Sequence, residues 1–126
     1  MTDTPDTSVR HFVVDEMPRE TLSPLLERTL ITGEKGMVAH VYLKKGCVVP
    51  MHQHENEQFT YVLDGALRFW IGSEDAESIL VSTGEVLHIP AHVPHKAIAE
   101  DDTVDLDFFV PPRADWLDGT DAYLRG

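Results

Sequence analysis

The sequence predicts an all-β fold, a sandwich or barrel of short strands. Three observations carry that prediction. Apolar and β-branched runs recur along the chain, Gly, Pro and Asp-rich turn signals separate them at intervals of about eight to twelve residues, and no segment sustains a long helical period.

Taken in order, His11 to Asp15 is a β-branched run stopped by Met17-Pro18 and is expected as the first strand. Ser23 to Ile31 admits either a helical turn with Pro24 at its first position or a strand. The strand is preferred, because Gly33 and Gly36 follow at once and suggest a hairpin. Met37 to Leu43 alternates, and Lys44-Lys45-Gly46 turns it. Phe59 to Leu63 and Leu67 to Ile71 flank Asp64-Gly65, the strongest short hairpin signal in the chain. Ile79-Leu80-Val81 and Val86 to Ile89 are strands joined through Ser82-Thr83-Gly84. Lys96 to Ala99 and Val104 to Val110 read as the last two strands, with the acidic turn Glu100-Asp101-Asp102 between them. The tail from Pro111 to Leu117 leaves the sheet as a short helix begun at Ala114 or Asp115. There is no internal repeat, so a single barrel is expected.

A chain of 126 residues with 42% hydrophobic residues makes one domain with a filled core. The polar opening MTDTPDTS, residues 1–8, is expected to be loosely ordered, and 9–126 to form the domain. That opening resembles neither a signal peptide nor a membrane span, so the cytoplasm is the expected compartment and no membrane partner is expected. Cys47 is the single cysteine and makes no internal disulfide, in keeping with a reducing location. The net charge of −12, without a Lys/Arg cluster, argues against nucleic-acid partners.

Chemistry concentrates between Gly46 and Gly65, in GCVVPMHQHENEQFTYVLDG. In an extended strand alternate side chains share a face, so His52 and His54 point the same way and can close on one ion. Gln58 has the same parity, although the turn-prone Glu55-Asn56 requires a bend to bring it back over the imidazoles. Glu57 has the opposite parity and reads as solvent-facing or strand-pairing. A first-row metal site wants a further ligand, and Gly84 to His95 supplies candidates.

These two stretches, G-x5-H-x-H-x3-Q-x6-G and G-x5-P-x-H-x2-H, resemble the two motifs of the cupin superfamily. The resemblance implies a single cupin barrel, a double-stranded β-helix of jelly-roll type with a short C-terminal extension. It implies metal ligands His52, His54, Gln58 and His95 around one divalent transition ion per chain, with Ni, Zn, Fe, Mn, Co and Cu all admissible. His92 stands where the pattern more often has Gly and is not counted. Three imidazoles and one amide are all neutral, so the ion keeps its full charge toward an anionic or enediol-like ligand and acts as a Lewis acid. The commoner cupin pattern has Glu at the Gln58 position, and its absence lowers the expectation of oxygen activation.

His52-x-His54 with Glu57-Gln58, then Tyr61 to Gly65, His88-Ile89-Pro90 and Val93-Pro94-His95, resembles the small pectin-degradation cupins called KdgF, which convert unsaturated uronates to linear keto forms. Asp107-Phe108-Phe109-Val110-Pro111-Pro112-Arg113 looks like that family's D-x-F-x-P-P-R ending, and the resemblance runs from about Arg19 to Leu117. It implies Asp107 as acid/base, Phe109 as a wall of the substrate pocket and Arg113 as the holder of the substrate carboxylate, for which a planar guanidinium fork is suited. Each has a plain alternative: Asp107 as a salt-bridge partner of Arg113, Phe109 as core, Arg113 as a surface residue. His88 reads as packed or hydrogen-bonded, His92 as adjacent to the site, and His11 and His40 as lone strand residues. Tyr61 and Trp70 read as core or interface aromatics, Lys96 as exposed, and the aromatic strands over 59–71 as a candidate homodimer face.

The leading functional expectation is a metal-dependent isomerase or tautomerase acting on a small anionic sugar derivative, with ketonisation of 4,5-unsaturated uronates as its sharpest form. The alternatives are a non-catalytic cupin that holds a small metabolite and a metal-dependent dioxygenase.

Overall fold

The computed structural model describes residues 7–125. Residues 1–6 of the segment expected to be loosely ordered lie outside the described residues.

Strands β1 (Glu20–Ser23), β2 (Leu26–Thr32), β3 (Met37–Leu43), β4 (Val48–His52), β5 (Glu57–Asp64), β6 (Ala66–Ile71), β7 (Ile79–Ser82), β8 (Val86–Ile89), β9 (His95–Ala99) and β10 (Thr103–Val110) precede one short helix, α1 (Ala114–Asp118). They build two antiparallel sheets, ordered β1-β2-β3-β10-β5-β8 and β4-β9-β6-β7. From β3 onward the chain crosses between sheets at nearly every connection, which is the jelly-roll arrangement the strand spacing predicts.

Alternation decides which side chains face inward. Met37, Ala39, Val41 and Leu43 of β3 are buried, as are Thr103, Asp105, Asp107 and Phe109 of β10, while the residues between them are more exposed. From the other sheet, Leu67, Phe69, Val81, Ala97 and Ala99 close the same core. Burying each large member stabilises the fold by about 1.5–3 kcal/mol. Two of the inward positions on β10 are aspartates, so the strand that fills the core also introduces ionisable groups into it.

Register then places the chemistry. β10 lies between β3 and β5, with Asp107 opposite Thr60 and Phe109 opposite Gln58. On the facing sheet His52 of β4 is directly opposite His95 of β9.

Two sequence expectations are corrected. The run from His11 to Asp15 is not a strand: its end, Val14–Glu16, coils into a 3-10 turn, and among the described residues no strand pairs with the run. Unpaired extended chain lacks the ladder that holds a strand. Asp64-Gly65 does turn the chain, but not into a hairpin, since β5 and β6 belong to different sheets. Gly65 has φ of 107°, and a Cβ there would lie 2.5 Å from the Asp102 carbonyl oxygen. The glycine therefore serves a tight corner packed against another loop. The Ser23 to Ile31 region resolves as strand, with β2 and β3 forming the expected hairpin. The helix begins at Ala114, within the expected range.

After α1 the chain turns back at Gly119, in the left-handed region with φ of 77°, and a 3-10 turn over Ala122–Leu124 folds under the barrel. Arg28 of β2 anchors this segment. Its buried guanidinium donates to Asp121, to Glu20 at 2.9 Å and to the Trp116 carbonyl at 3.3 Å, and it stacks 4.6 Å from the Trp116 ring centroid. A buried ion pair of this kind is destabilising by about 3–5 kcal/mol when one partner is removed, which fixes the tail against the barrel. No helix of the described residues is long and apolar enough to cross a membrane.

Candidate functional site

His52, His54 and His95 converge, with one ring nitrogen from each lying within 4.8 Å of the others. Each ring is oriented by a backbone carbonyl two residues away. His52 Nδ1 bonds the Pro50 carbonyl at 2.7 Å, His54 Nδ1 that of Asn56 at 3.0 Å, and His95 Nδ1 that of Val93 at 2.8 Å. Carbonyls only accept, so each Nδ1 carries the proton and each Nε2 presents a bare lone pair. His95 Nε2 is buried and has no hydrogen-bond partner.

Burial, and beyond it the neighbouring imidazoles and Arg113, push the protonation equilibria down: His52 to about 3 and His54 to about 4, with His95 lowered as well. The three rings are neutral near pH 7. Gln58 Nε2 donates to Thr60 Oγ1 at 2.8 Å, and this aims its Oε1 at His54 Nε2, 3.1 Å away. Two acceptors in contact, beside an orphaned imidazole nitrogen, form a donor set suited to a divalent transition cation. The expected quartet His52, His54, Gln58 and His95 is thus brought together by the fold.

Asp107 hangs from the opposite wall. Thr60 Oγ1 donates to Asp107 Oδ1 at 2.8 Å, so Gln58, Thr60 and Asp107 form one directed chain of hydrogen bonds. Burial raises the pKa of Asp107. Asp105, one inward position along the same strand, is raised well above the ordinary carboxylate range by burial and by the adjacent Asp107. Its Oδ1 is buried without a partner.

Arg113 is buried at 2% exposure. Its Nε and Nη2 donate to the two carboxylate oxygens of Asp115 at 3.0 and 2.9 Å, and Nη2 also donates to Tyr123 Oη at 2.7 Å. Nη1 is buried and unpaired. The alternative that Asp107 exists to salt-bridge Arg113 is therefore set aside in favour of Asp115. The two-point fork expected to be free for a carboxylate is occupied on its Nε/Nη2 edge.

His52, Gln58, His95, Asp105, Asp107, Phe109, Arg113 and Tyr123 line one cavity of about 540 Å³, counting its open mouth, continued inward by aliphatic side chains. Phe109 both packs in the core and faces the histidine cluster, its ring centroid 5.8 Å from that of His54.

Other readings fall outside the cavity. Glu57 and His88 pair at 2.7 Å on the outer face, half exposed. His92 is exposed, and its φ of 65° is the conformation glycine adopts freely, which accounts for glycine in the usual pattern. Lys96 reaches Glu74 at 2.7 Å across the outer surface. Sequence reasoning missed Thr60, Asp105 and Tyr123. The first two share parity with Gln58 and Asp107 and could have been found by extending that rule; Tyr123 lies in the tail, where no periodic signal operates.

The Cupin domain family model matches residues 39–111. The pectin degradation protein KdgF of Dickeya dadantii (strain 3937) is 31% identical over 111 residues, covering 86% of this chain and 98% of that protein. The structure of KdgF from Halomonas sp. is 28% identical with a TM-score of 0.79, covering 86% of this chain and 99% of that one. An RmlC-like cupin from Shewanella frigidimarina, 23% identical with a TM-score of 0.77 over 86% of this chain and 96% of its own, shares the fold.

Proposed function

The chain belongs to the Cupin domain family, and from that premise we propose that it is a metal-dependent isomerase that ketonises a small unsaturated uronate. The observation that carries this reading is the convergence of His52, His54 and His95, with Gln58 against His54, at a cavity that Asp107 and Arg113 also line. The pectin-degradation name of the Dickeya relative supports the substrate class.

His52, His54, Gln58 and His95 would hold a divalent transition ion. Bound there, such an ion supplies Lewis-acid polarisation of substrate oxygens. Asp107, whose acid form burial favours, gives a proton to the substrate's unsaturated carbon and is then reprotonated from the enolic oxygen. Thr60 holds Asp107 through Oδ1 and fixes the carboxyl in place. Arg113 binds the carboxylate, and Phe109 limits the depth to which the sugar enters.

The test is elemental analysis of purified protein and of the His52→Ala/His54→Ala variant, followed by ultraviolet absorbance of a 4,5-unsaturated uronate with each. Near-stoichiometric metal lost in the variant, with accelerated decay of the C=C absorbance only in the native protein, is the expected result. Metal without turnover moves the assignment to a metabolite-binding cupin or, if oxygen is consumed with iron bound, to a dioxygenase.

We also propose that two copies associate through the outer face of the six-stranded sheet. Phe59, Tyr61, Phe108 and Val86 lie side by side there and are 38–56% exposed. A contiguous exposed apolar patch of this kind is what a self-complementary interface needs. Tyr61→Glu should convert a dimer to a monomer in sedimentation; a monomeric native protein would overturn this.

A further inference from the structure

A carboxylate offers two oxygens, and a site that holds it firmly meets both. Arg113 alone does not do so here. Its Nε and Nη2 are committed to Asp115, and only Nη1, buried and without a partner, is uncommitted. The second donor has to come from elsewhere on the same wall.

Tyr123 is in that position. Its ring stacks on His52 with centroids 4.6 Å apart, and its hydroxyl oxygen touches the Arg113 guanidinium. Two groups donate to that oxygen: Arg113 Nη2 at 2.7 Å and Trp116 Nε1 at 3.0 Å. An indole N–H and a guanidinium only donate, so the phenolic oxygen acts as acceptor in both contacts. Its own proton is left over, and no described residue takes it. Tyr123 is one of the residues that line the cavity.

We propose that Tyr123 is a substrate-binding residue whose O–H donates to one oxygen of the substrate carboxylate while Arg113 Nη1 takes the other. Both donors are already joined through Nη2, so the pair is preorganised. Tyr123 lies beyond residues 39–111, the part matched by the family model, and the tail that carries it is held by Arg28 and Asp121. The specificity of this chain for an acid over a neutral sugar therefore depends in part on a segment outside the shared barrel. The inference rests on the uronate reading for the identity of the ligand, and on the donor geometry alone for its carboxylate.

The test measures binding, by titration calorimetry on metal-loaded protein, of galacturonate, galactose and the non-sugar acid pyruvate, with metal content determined in parallel. Tyr123→Phe keeps the ring against His52 and removes only the hydroxyl. It should weaken galacturonate by roughly ten- to a hundredfold, the scale of a lost hydrogen bond to a charged group, while leaving galactose binding and metal content as they were. In turnover the loss should fall on KM more than on kcat. Weakened pyruvate binding in the variant, with no galacturonate binding to the native protein, would uphold the carboxylate pair and sink the uronate reading. Equal galacturonate affinity in both proteins would overturn the proposal, as would failure of any carboxylate to bind the native protein. If a ligand instead displaces Asp115 from the fork, Asp115→Asn should tighten galacturonate and Tyr123→Phe should leave it unchanged, and that pair of results also overturns it.

Discussion

The two walls of the cavity are built on different rules. On the histidine wall each imidazole is oriented by a main-chain carbonyl two residues away, at Pro50, Asn56 and Val93. On the facing wall every functional group is held by another side chain: Asp107 by Thr60, 47 residues distant in sequence, and Arg113 by Asp115 and by Tyr123, ten residues on. Main-chain carbonyls survive most substitutions, whereas a side-chain support is lost with a single change. The first wall is locally encoded; the second is assembled by the fold.

The largest effect should follow from removing a group on the locally encoded wall. His95→Ala is expected to reduce bound metal to near zero and to abolish the rise in melting temperature that added metal gives the native protein. Elemental analysis and a melting series with and without metal check this. Metal retained at native stoichiometry would mean that His95 only packs.

Next comes the assembled wall. Asp107→Asn should lower kcat by roughly 10²–10⁴-fold, the usual contribution of a general acid/base, with metal content unchanged. Loss of metal in this variant would instead make Asp107 a support of Gln58, reached through Thr60.

The same division separates what is legible in the amino-acid sequence from what is not. His52, His54 and Gln58 are legible because their spacing is the geometry of one strand and one bend, and strand parity puts Asp107 and Phe109 on one side, whereas Arg113, past the end of β10, is legible only through the family ending. The expected β5 to β6 hairpin does not form, because Asp64-Gly65 specifies a turn and not the sheet its two flanks will join; that depends on the contact of Gly65 with Asp102, far along the chain. The pairing of Arg113 with Asp115 and Tyr123 is illegible for the same reason. Parity states which face a residue takes, not which neighbour it meets.

A smaller effect tests the cost of the assembled wall. The pKa of Asp105 is raised in the fold by burial and by Asp107, so the native state keeps its proton where the unfolded chain has lost it. Stability from this group is therefore fully present below the ordinary Asp value of about 3.9 and declines as pH rises from there through the raised value. Asp105→Asn removes that decline. In metal-free protein it should match the native melting temperature in acid and exceed it by a few degrees at neutral pH. A variant less stable at neutral pH would mean that the Asp105 carboxylate is satisfied in the fold.

The smallest effect should come from Glu57, which adjoins Gln58 in sequence and yet belongs to neither wall. Its carboxylate pairs with His88 at 2.7 Å on the outer face, with the two side chains 46% and 45% exposed. Exposed pairs contribute little after solvent screening, so Glu57→Gln should change stability by no more than ~0.5 kcal/mol. Metal content and kcat should stay at native values. Gln58→Glu, one position on, puts a carboxylate where the neutral amide stood, and should alter metal preference in a competition between zinc and manganese, since a carboxylate favours the harder ion. Two adjacent residues with opposite consequences would locate the chemistry on one face of β5. Metal loss in Glu57→Gln would break the comparison, because it would bring an outward residue into a site whose whole logic is that alternate side chains face opposite ways.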